Sequence, residues 1–397
     1  MKHPVAVIGT YQTAFGSRQA AKTFPEQVQE AALGALADAG MNSEEIDAFV
    51  FSLAPTHFMG VADADRWCVD YIGAAGKPMF RVHTGGATGG SAVHAAHSLV
   101  ATGLARSVLI LGAERMGETP DAQTLLNTIF DPFYERDMAL QTIAIVALMV
   151  SRYMARYGST EEDYARVVVR QRRNALANPH AHLKGQTTVD EVMRSPMVSY
   201  PLKLHDICPR STGAAAMVLA NATVAGEKTT RPAFITGVGG VTSTVWMGDR
   251  LSPTSEMEFS YMEEHRLAAE RAFAHAGIRD PAAEIDVAEI YDPFSNIAHA
   301  ALEAMGFCAL GTAHRLEREG AWERDGLVAV NPSGGVLCTN PIAVSGLVRA
   351  IDAARQIMGR AGDMQLPGVR RAVSTALGGS AQFVNVTVLD EDFREAR

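Results

Sequence analysis

Twice in this chain a short apolar run leads through a glycine-rich turn into a helix of small residues. The first copy reads "HTGGATGGSA" (83–92), then an Ala-rich helical pattern over 89–102 and the strand-like "SVLILG" (107–112). The second reads "VAVNPSGGVLCTNPIAVSGLVRAIDAARQIMG" (328–359). All-apolar runs alternating with helical spacing argue for a mostly parallel sheet with helices on both faces. The rest of the chain keeps this rhythm. "VAVIG" (5–9) and "IDAFVFSLA" (46–54) read as strands around a helix over 24–40 that closes at Gly40. After about residue 230 the order runs again: strand "AFITGVGGV", helix "EHRLAAERAFAHAG", strand "IDVAEIYDPF". Comparable placing of the two glycine turns points to a duplicated α/β unit with halves 1–225 and 226–397. Residues 115–205 break the rhythm with a long helical stretch, "IAIVALMVSRYMARYG", and the polar "RRNALANPHAHLKGQTTVDEV". Such an insertion is expected to be a binding lid or a subunit contact.

Composition narrows the function class. A net charge of −9 argues against a nucleic-acid or anionic-membrane surface, while leaving room for a local basic patch toward a phosphorylated ligand. Cys68, Cys208, Cys308 and Cys338 are far apart and form no CxxC pair, so neither a zinc site nor a disulfide framework is expected. The N-terminus is shaped like a first strand and not like a signal peptide, and no apolar stretch reaches the ~18–20 residues of a membrane span. The expectation is a cytoplasmic enzyme with no metal.

Chemistry begins at the first turn. Ala92, Ala95, Ala96, Leu99 and Val100 share one helix face, as a central buried helix packed closely on a neighbour would need. The glycines ahead of it offer backbone N–H groups at the positive end of the helix, a place for an oxyanion or a thioester carbonyl. A tight turn with no ligand explains the glycines equally well.

"GATGGSA" with "VLILGAERM" resembles the thiolase superfamily, and its sterol-carrier-protein-x branch in particular. There the helix is led by Cys-Ala-Thr-Gly-Ser and the strand ends near Gly-Glu-Lys-Met. "AEIYDPFSNIAHAALEAMGFC" is similar to the block that reads Asn-Glu-Ala-Phe or His-Asp-Cys-Phe in that family. "NPSGGVLCTNPIAVSG" resembles the Gly-His-Pro block, and "STALGGSAQFVNVTVL" the Cys-x-Gly-Gly-Gly block. The resemblance implies a thiolase fold: two αβαβα-type halves, each with a five-stranded sheet, and an insertion forming a loop domain on the CoA side. It also implies a homodimer.

The same blocks depart from thiolase chemistry. The nucleophilic cysteine position is Gly86, the Gly-His-Pro histidine position is Asn340, and the second cysteine position is Ala376. Neither glycine nor alanine can hold an acyl group or move a proton. What the resemblance leaves is electrostatic: backbone N–H groups at Gly85–Gly86 and Gly378–Gly379, and the amide of Asn340. Thr88 and Cys338 stand beside these as substrate-side candidates, with packing as the other reading of Cys338. Tyr291 is new where relatives carry Asn or His. It is a proton carrier or a packed aromatic at a strand end; Asp292 is a weaker candidate for the same role or a turn or cap residue.

Enolate stabilisation without a nucleophile implies retro-aldol cleavage of a β-hydroxyacyl-CoA into a ketone and a short acyl-CoA. A thiolase-like branch does this on steroid side chains, with a tyrosine at the position of Tyr291 and a small zinc-ribbon/OB-fold partner. A second tyrosine expected near Asn340 is missing in "LCTNPIA". Two alternatives remain: a non-catalytic CoA-binding scaffold, and an acyltransferase using Cys338. No cofactor beyond the CoA thioester is expected.

Overall fold

The computed structural model describes residues 3–54, 58–138, 141–245 and 261–393; Ala139 and Leu140 of the insertion lie outside them. The first half contributes β1 (Val5–Gln12), β2 (Ala48–Ser52), β3 (Met79–Val82) and β4 (Ser107–Arg115). The insertion adds a small hairpin, β5 (Met197–Ser199) and β6 (Leu202–Lys203), before β7 (Thr212–Asn221) returns to the sheet. The second half holds β8 (Ala233–Thr242), β9 (Val287–Glu289), β10 (Ala329–Val330), β11 (Arg371–Gly378) and β12 (Phe383–Asp390).

The duplication is legible in the strand order, β10-β9-β11-β12-β8-β1-β7-β4-β2-β3. Read outward from the β8–β1 joint, the second half repeats the first. That joint is short, with Val5, Ala6 and Val7 opposite Ile235, Phe234 and Ala233. A mostly parallel sheet was expected; the observed halves are evenly mixed. β3, β2 and β4 are parallel, whereas β7 lies antiparallel to β4 and β1. β10, β9 and β11 are likewise parallel, with β12 antiparallel to β11 and β8. The physical reason is connection length. β11 and β12 are joined by a tight turn, which permits only antiparallel pairing.

Side-chain alternation builds five layers. Val5 and Val7 of β1, Val108 and Ile110 of β4, and Val287, Ala372 and Leu389 of the second half all face one central core. Helices Thr88–Ala101 and Ser345–Met358 fill that core between the half-sheets through Ala92, Ala96, Val100, Leu347 and Ile351. Ala6, Ile8, Leu109 and Leu111 point the other way, onto helix Phe24–Ala39. Ala288, Val373 and Val388 do the same toward helix Glu263–Ala276. Burying apolar surface on both faces of each half-sheet is what makes their strands nearly all-apolar.

The two central helices touch backbone to backbone. A Cβ on Gly89 would lie 2.2 Å from the Leu347 amide nitrogen, and one on Gly346 only 2.8 Å from that of Gly90. The second glycine pair of the opening motif therefore serves this crossing, not a ligand.

The insertion leaves the first half and docks on the second. Its helix Glu161–Ala175 is tied down by the buried Arg170–Glu317 pair at 2.8 Å and by Asp163–Arg318 at 2.5 Å. Burial alone would raise the Glu317 carboxyl, but Arg170 and His299 hold it at about 2.

Candidate active site

Both glycine turns meet at the carboxyl ends of the second-half strands, beside the first turns of the central helices. Gly85 and Gly379 each have φ 60°, a left-handed backbone that suits glycine. A Cβ on Gly378 would sit 2.3 Å from Thr84 O and 2.4 Å from Ala87 N, so the turns are in direct backbone contact. Thr88, a substrate-side candidate from sequence, is corrected to a brace of the turn. Its buried hydroxyl donates to Gly85 O at 2.5 Å and accepts from Thr84 N at 3.0 Å.

Gly86 is the decisive position. A Cβ there would stand 2.8 Å from Tyr291 Oη and 2.5 Å from Leu377 O. The phenol hydroxyl thus crowds the space that a side chain on residue 86 would need. Tyr291 follows the short strand β9 and is anchored by its own amide, which donates to Thr375 Oγ1 at 2.8 Å. Burial, with Cys208 and Asp292 nearby, pushes its pKa well above the ordinary phenol value, while Ser345 acts in the opposite sense. A phenol in this setting stays protonated at neutral pH.

Asn340 closes the other side. Its Nδ2 donates to Cys208 Sγ at 3.0 Å, and its Oδ1 accepts from Ser345 Oγ at 2.8 Å. Its backbone amide donates to Ser211 Oγ at 3.0 Å, which in turn meets His182 Nδ1 at 2.9 Å. The second hydrogen of Asn340 Nδ2 has no partner among the described residues. Sequence reasoning missed Cys208, Ser211, His182 and Ser345 as neighbours of this site. No local signal marks them. The backbone amide of Cys208 donates to Pro293 O at 2.9 Å, which straps the segment after the insertion onto the Tyr291 turn. Burial pushes the Cys208 thiol up to about 12.

Comparison with known proteins agrees with this layout. The model described as "Thiolase, N-terminal domain" matches residues 5–223, and "Thiolase C-terminal domain-like" matches residues 249–391. The chain belongs to the thiolase superfamily, in its sterol-carrier-protein-x-like branch. It is 32% identical to an acetyl-CoA acetyltransferase of Methanothermobacter thermautotrophicus over 95% of this chain and 96% of that one. It is 29% identical to a 17-hydroxy-3-oxo-4-pregnene-20-carboxyl-CoA lyase of Mycobacterium tuberculosis, covering 94% and 95%. Among solved structures, the Ltp2-ChsH2(DUF35) aldolase superposes with a TM-score of 0.83 at 26% identity, over 99% of both chains.

Other side chains around the site and on the insertion sort plainly. Cys338, read from sequence as a packing residue or a substrate-side candidate, stands among packing neighbours. It has no exposed surface, lies against Ala175 and Ala181, and burial raises its thiol to about 12. Ala376 is wedged between the central helices, its Cβ 2.6 Å from where one on Gly90 would be. Asp292 is more than a turn residue. Buried, it accepts from Val336 N at 3.0 Å, Asn331 Nδ2 at 2.8 Å and Gln171 Nε2, and burial raises it to about 6. His94, half-buried, meets Thr387 Oγ1 at 3.0 Å, and His97 is buried. Arg173 pairs with Glu323, and Lys184 Nζ donates to Pro179 O. A cavity of about 270 Å³ beside Arg371 and Asp390 lies at the opposite end of β11 from Gly378, away from this chemistry. Among the described residues no group of three or more His, Cys, Asp or Glu side chains is placed to hold a metal, and no helix is long and apolar enough to cross a membrane.

Proposed function

We propose that this thiolase-superfamily enzyme is an acyl-CoA retro-aldolase. It would cleave a β-hydroxyacyl-CoA, of a steroid or other branched side chain, into a ketone and a short acyl-CoA. The observation that carries this reading is the Tyr291 hydroxyl crowding the space that a nucleophile on residue 86 would need. Thiolytic exchange needs a thiolate at that point; bond cleavage to an enolate needs a proton carrier and an oxyanion site. The glycine turns and the second Asn340 amide hydrogen suit the thioester oxygen, whose charge grows as the Cα–Cβ bond breaks. One such donor is typically worth ~3 kcal/mol. The lyase relative and the aldolase structure support the same chemistry. The DUF35 protein in that aldolase's name supports a separate partner for this chain; a zinc-ribbon/OB-fold partner in a heterotetramer built on a homodimer is the form this reading proposes for it.

Acyl transfer is the second reading, favoured by the acetyl-CoA acetyltransferase relative. It would have to use Cys208, the thiol beside Asn340, whose pKa of about 12 leaves almost no thiolate at neutral pH.

One experiment separates them. A panel of β-hydroxyacyl-CoA thioesters, with and without the partner, is followed by mass spectrometry of products. The expected result is a ketone and a short acyl-CoA from at least one member, with ~10²-fold or greater loss in Tyr291→Phe at an unchanged melting temperature. Intact protein incubated with acetyl-CoA should gain no acyl mass. An adduct on Cys208, or unimpaired cleavage by Tyr291→Phe, would remove this reading.

A further inference from the structure

Thr84 opens the turn that carries Gly85 and Gly86. Its carbonyl accepts from Ala87 N at 3.2 Å and its amide donates to Thr88 Oγ1 at 3.0 Å, so its backbone is held by the start of helix Thr88–Ala101. The Thr84 side chain is tied elsewhere. Its Oγ1 lies 2.8 Å from Ser91 Oγ, and Ser91 donates to Asn385 Oδ1 at 2.9 Å. A serine hydroxyl carries one proton, so Thr84 is the donor to Ser91. Asn385 Nδ2 then meets His94 Nδ1 at 3.3 Å, and His94 Nε2 meets Thr387 Oγ1 at 3.0 Å. Five side chains thus form one hydrogen-bonded chain from the glycine turn to β12. Turning the Asn385 amide over would reverse each bond and break none. The chain also joins the two halves, since Asn385 and Thr387 belong to the second. It depends on Gly90, where a Cβ would stand 3.0 Å from Asn385 Cβ.

We propose that Ser91 and Asn385 are positioning residues: through Thr84 they fix the Gly85–Gly86 turn against the second half, so that its N–H groups meet the thioester oxygen as charge grows on it. The proposal rests on the retro-aldolase reading and adds what holds its oxyanion donors still. The side-chain hydrogen bonds of Ser91 and Asn385 go to Thr84, to His94 and to each other, so both act on the reaction through the turn. Donors of this kind must be held within about 0.5 Å of the productive geometry. An error in their placing is felt most where the charge is greatest, in the transition state.

The test uses a thioester that the wild-type protein cleaves. Ser91→Ala suits a helix and removes only the hydroxyl. Thr84→Val keeps the β-branch and removes the other end of the same bond. Each should lower kcat about tenfold, the scale of one lost hydrogen bond felt mainly in the transition state. KM, binding of an unreactive CoA analogue and melting temperature should stay near wild type. Thr84→Ser keeps the hydroxyl and should turn over close to wild type. Because both substitutions break one bond, the double variant Thr84→Val/Ser91→Ala should be no slower than the slower single variant. If Tyr291→Phe is impaired while Ser91→Ala turns over within about twofold of wild type, the positioning assignment falls and the function stands. The same holds if KM rises in step with the loss of kcat, or if the two losses multiply in the double variant. Normal cleavage by Tyr291→Phe would remove the function, and this assignment with it.

Discussion

Gly86 shows how much one missing side chain can decide. Its neighbours are a backbone carbonyl at 2.5 Å and a buried phenol at 2.8 Å from any added Cβ, and the carbonyl cannot swing away. Gly86→Ala is therefore expected to cost about 1–3 kcal/mol of stability by overpacking. Cleavage should fall well beyond that, since the displaced group is Tyr291. Turnover and a urea melt on one sample check both, and an active, fully stable Ala variant would contradict the geometry. Glu114, at the end of β4, is a second such residue. It is fully buried, accepts from Arg115 N at 3.1 Å through one oxygen, and its other oxygen has no hydrogen-bond partner within 3.5 Å among the described residues. Burial raises its carboxyl from 4.5 to about 8. The folded state then keeps a proton that the unfolded chain has lost. Its contribution is full below about pH 4.5 and fades as pH rises toward 8. Glu114→Gln cannot titrate, so it should gain on the wild type between pH 5 and pH 8 by on the order of a few kcal/mol. Chemical denaturation of both proteins at the two pH values measures the gap; an identical pH dependence would refute it.

Between elements, the crossing of the two central helices governs whether the layers can close. Gly89 faces Leu347 N, Gly346 C and Ala343 O, all of them backbone atoms. Backbone cannot repack around a methyl group. Gly89→Ala should lower stability by about 3 kcal/mol or more, at the upper end of overpacking costs. Gly226 is the control. It lies in helix Ala222–Lys228 with nothing within 4 Å of an added Cβ, so Gly226→Ala should be neutral or stabilising by up to about 1 kcal/mol. Equal effects at the two positions, read from melting curves, would contradict the crossing.

Across the whole molecule, β3 ends the ten-stranded sheet with one edge unpaired among the described residues, and Phe80 on it is 50% exposed. Open strand edges bearing aromatic residues are usually covered in the working protein. A homodimer meeting along this edge is expected, at twice the 42.4 kDa of one chain by light scattering. Phe80→Lys should shift it toward monomer without unfolding it; a monomeric wild type would overturn the expectation. The insertion matters at this scale too, since it brings His182 of the first half onto Thr339 and onto Ser211, the residue that holds the Asn340 amide.

Local chemistry was enough for the elements and the family. Helix Phe24–Ala39 ends at Gly40 with φ 62°, and helix Glu263–Ala276 at Gly277 with φ 69°, both where the sequence placed a stop. Those signals are local: a left-handed cap and a 3.6-residue apolar period need no distant partner. The ordered blocks around Gly86, Tyr291, Asn340 and Gly378 were readable for the same reason, since each turn is specified by a few adjacent residues. The second purpose of the opening glycines was not readable. Gly85 and Gly86 meet a turn near residue 378, while Gly89 and Gly90 meet a helix that begins at residue 345. Nothing nearby in the chain separates the two pairs. Nor could the sequence show that Thr88 would spend its hydroxyl inside the turn, or that Cys208 rather than Cys338 would stand beside Asn340. Proximity between residues more than a hundred positions apart depends on which surfaces bury each other, and only the packed chain decides that.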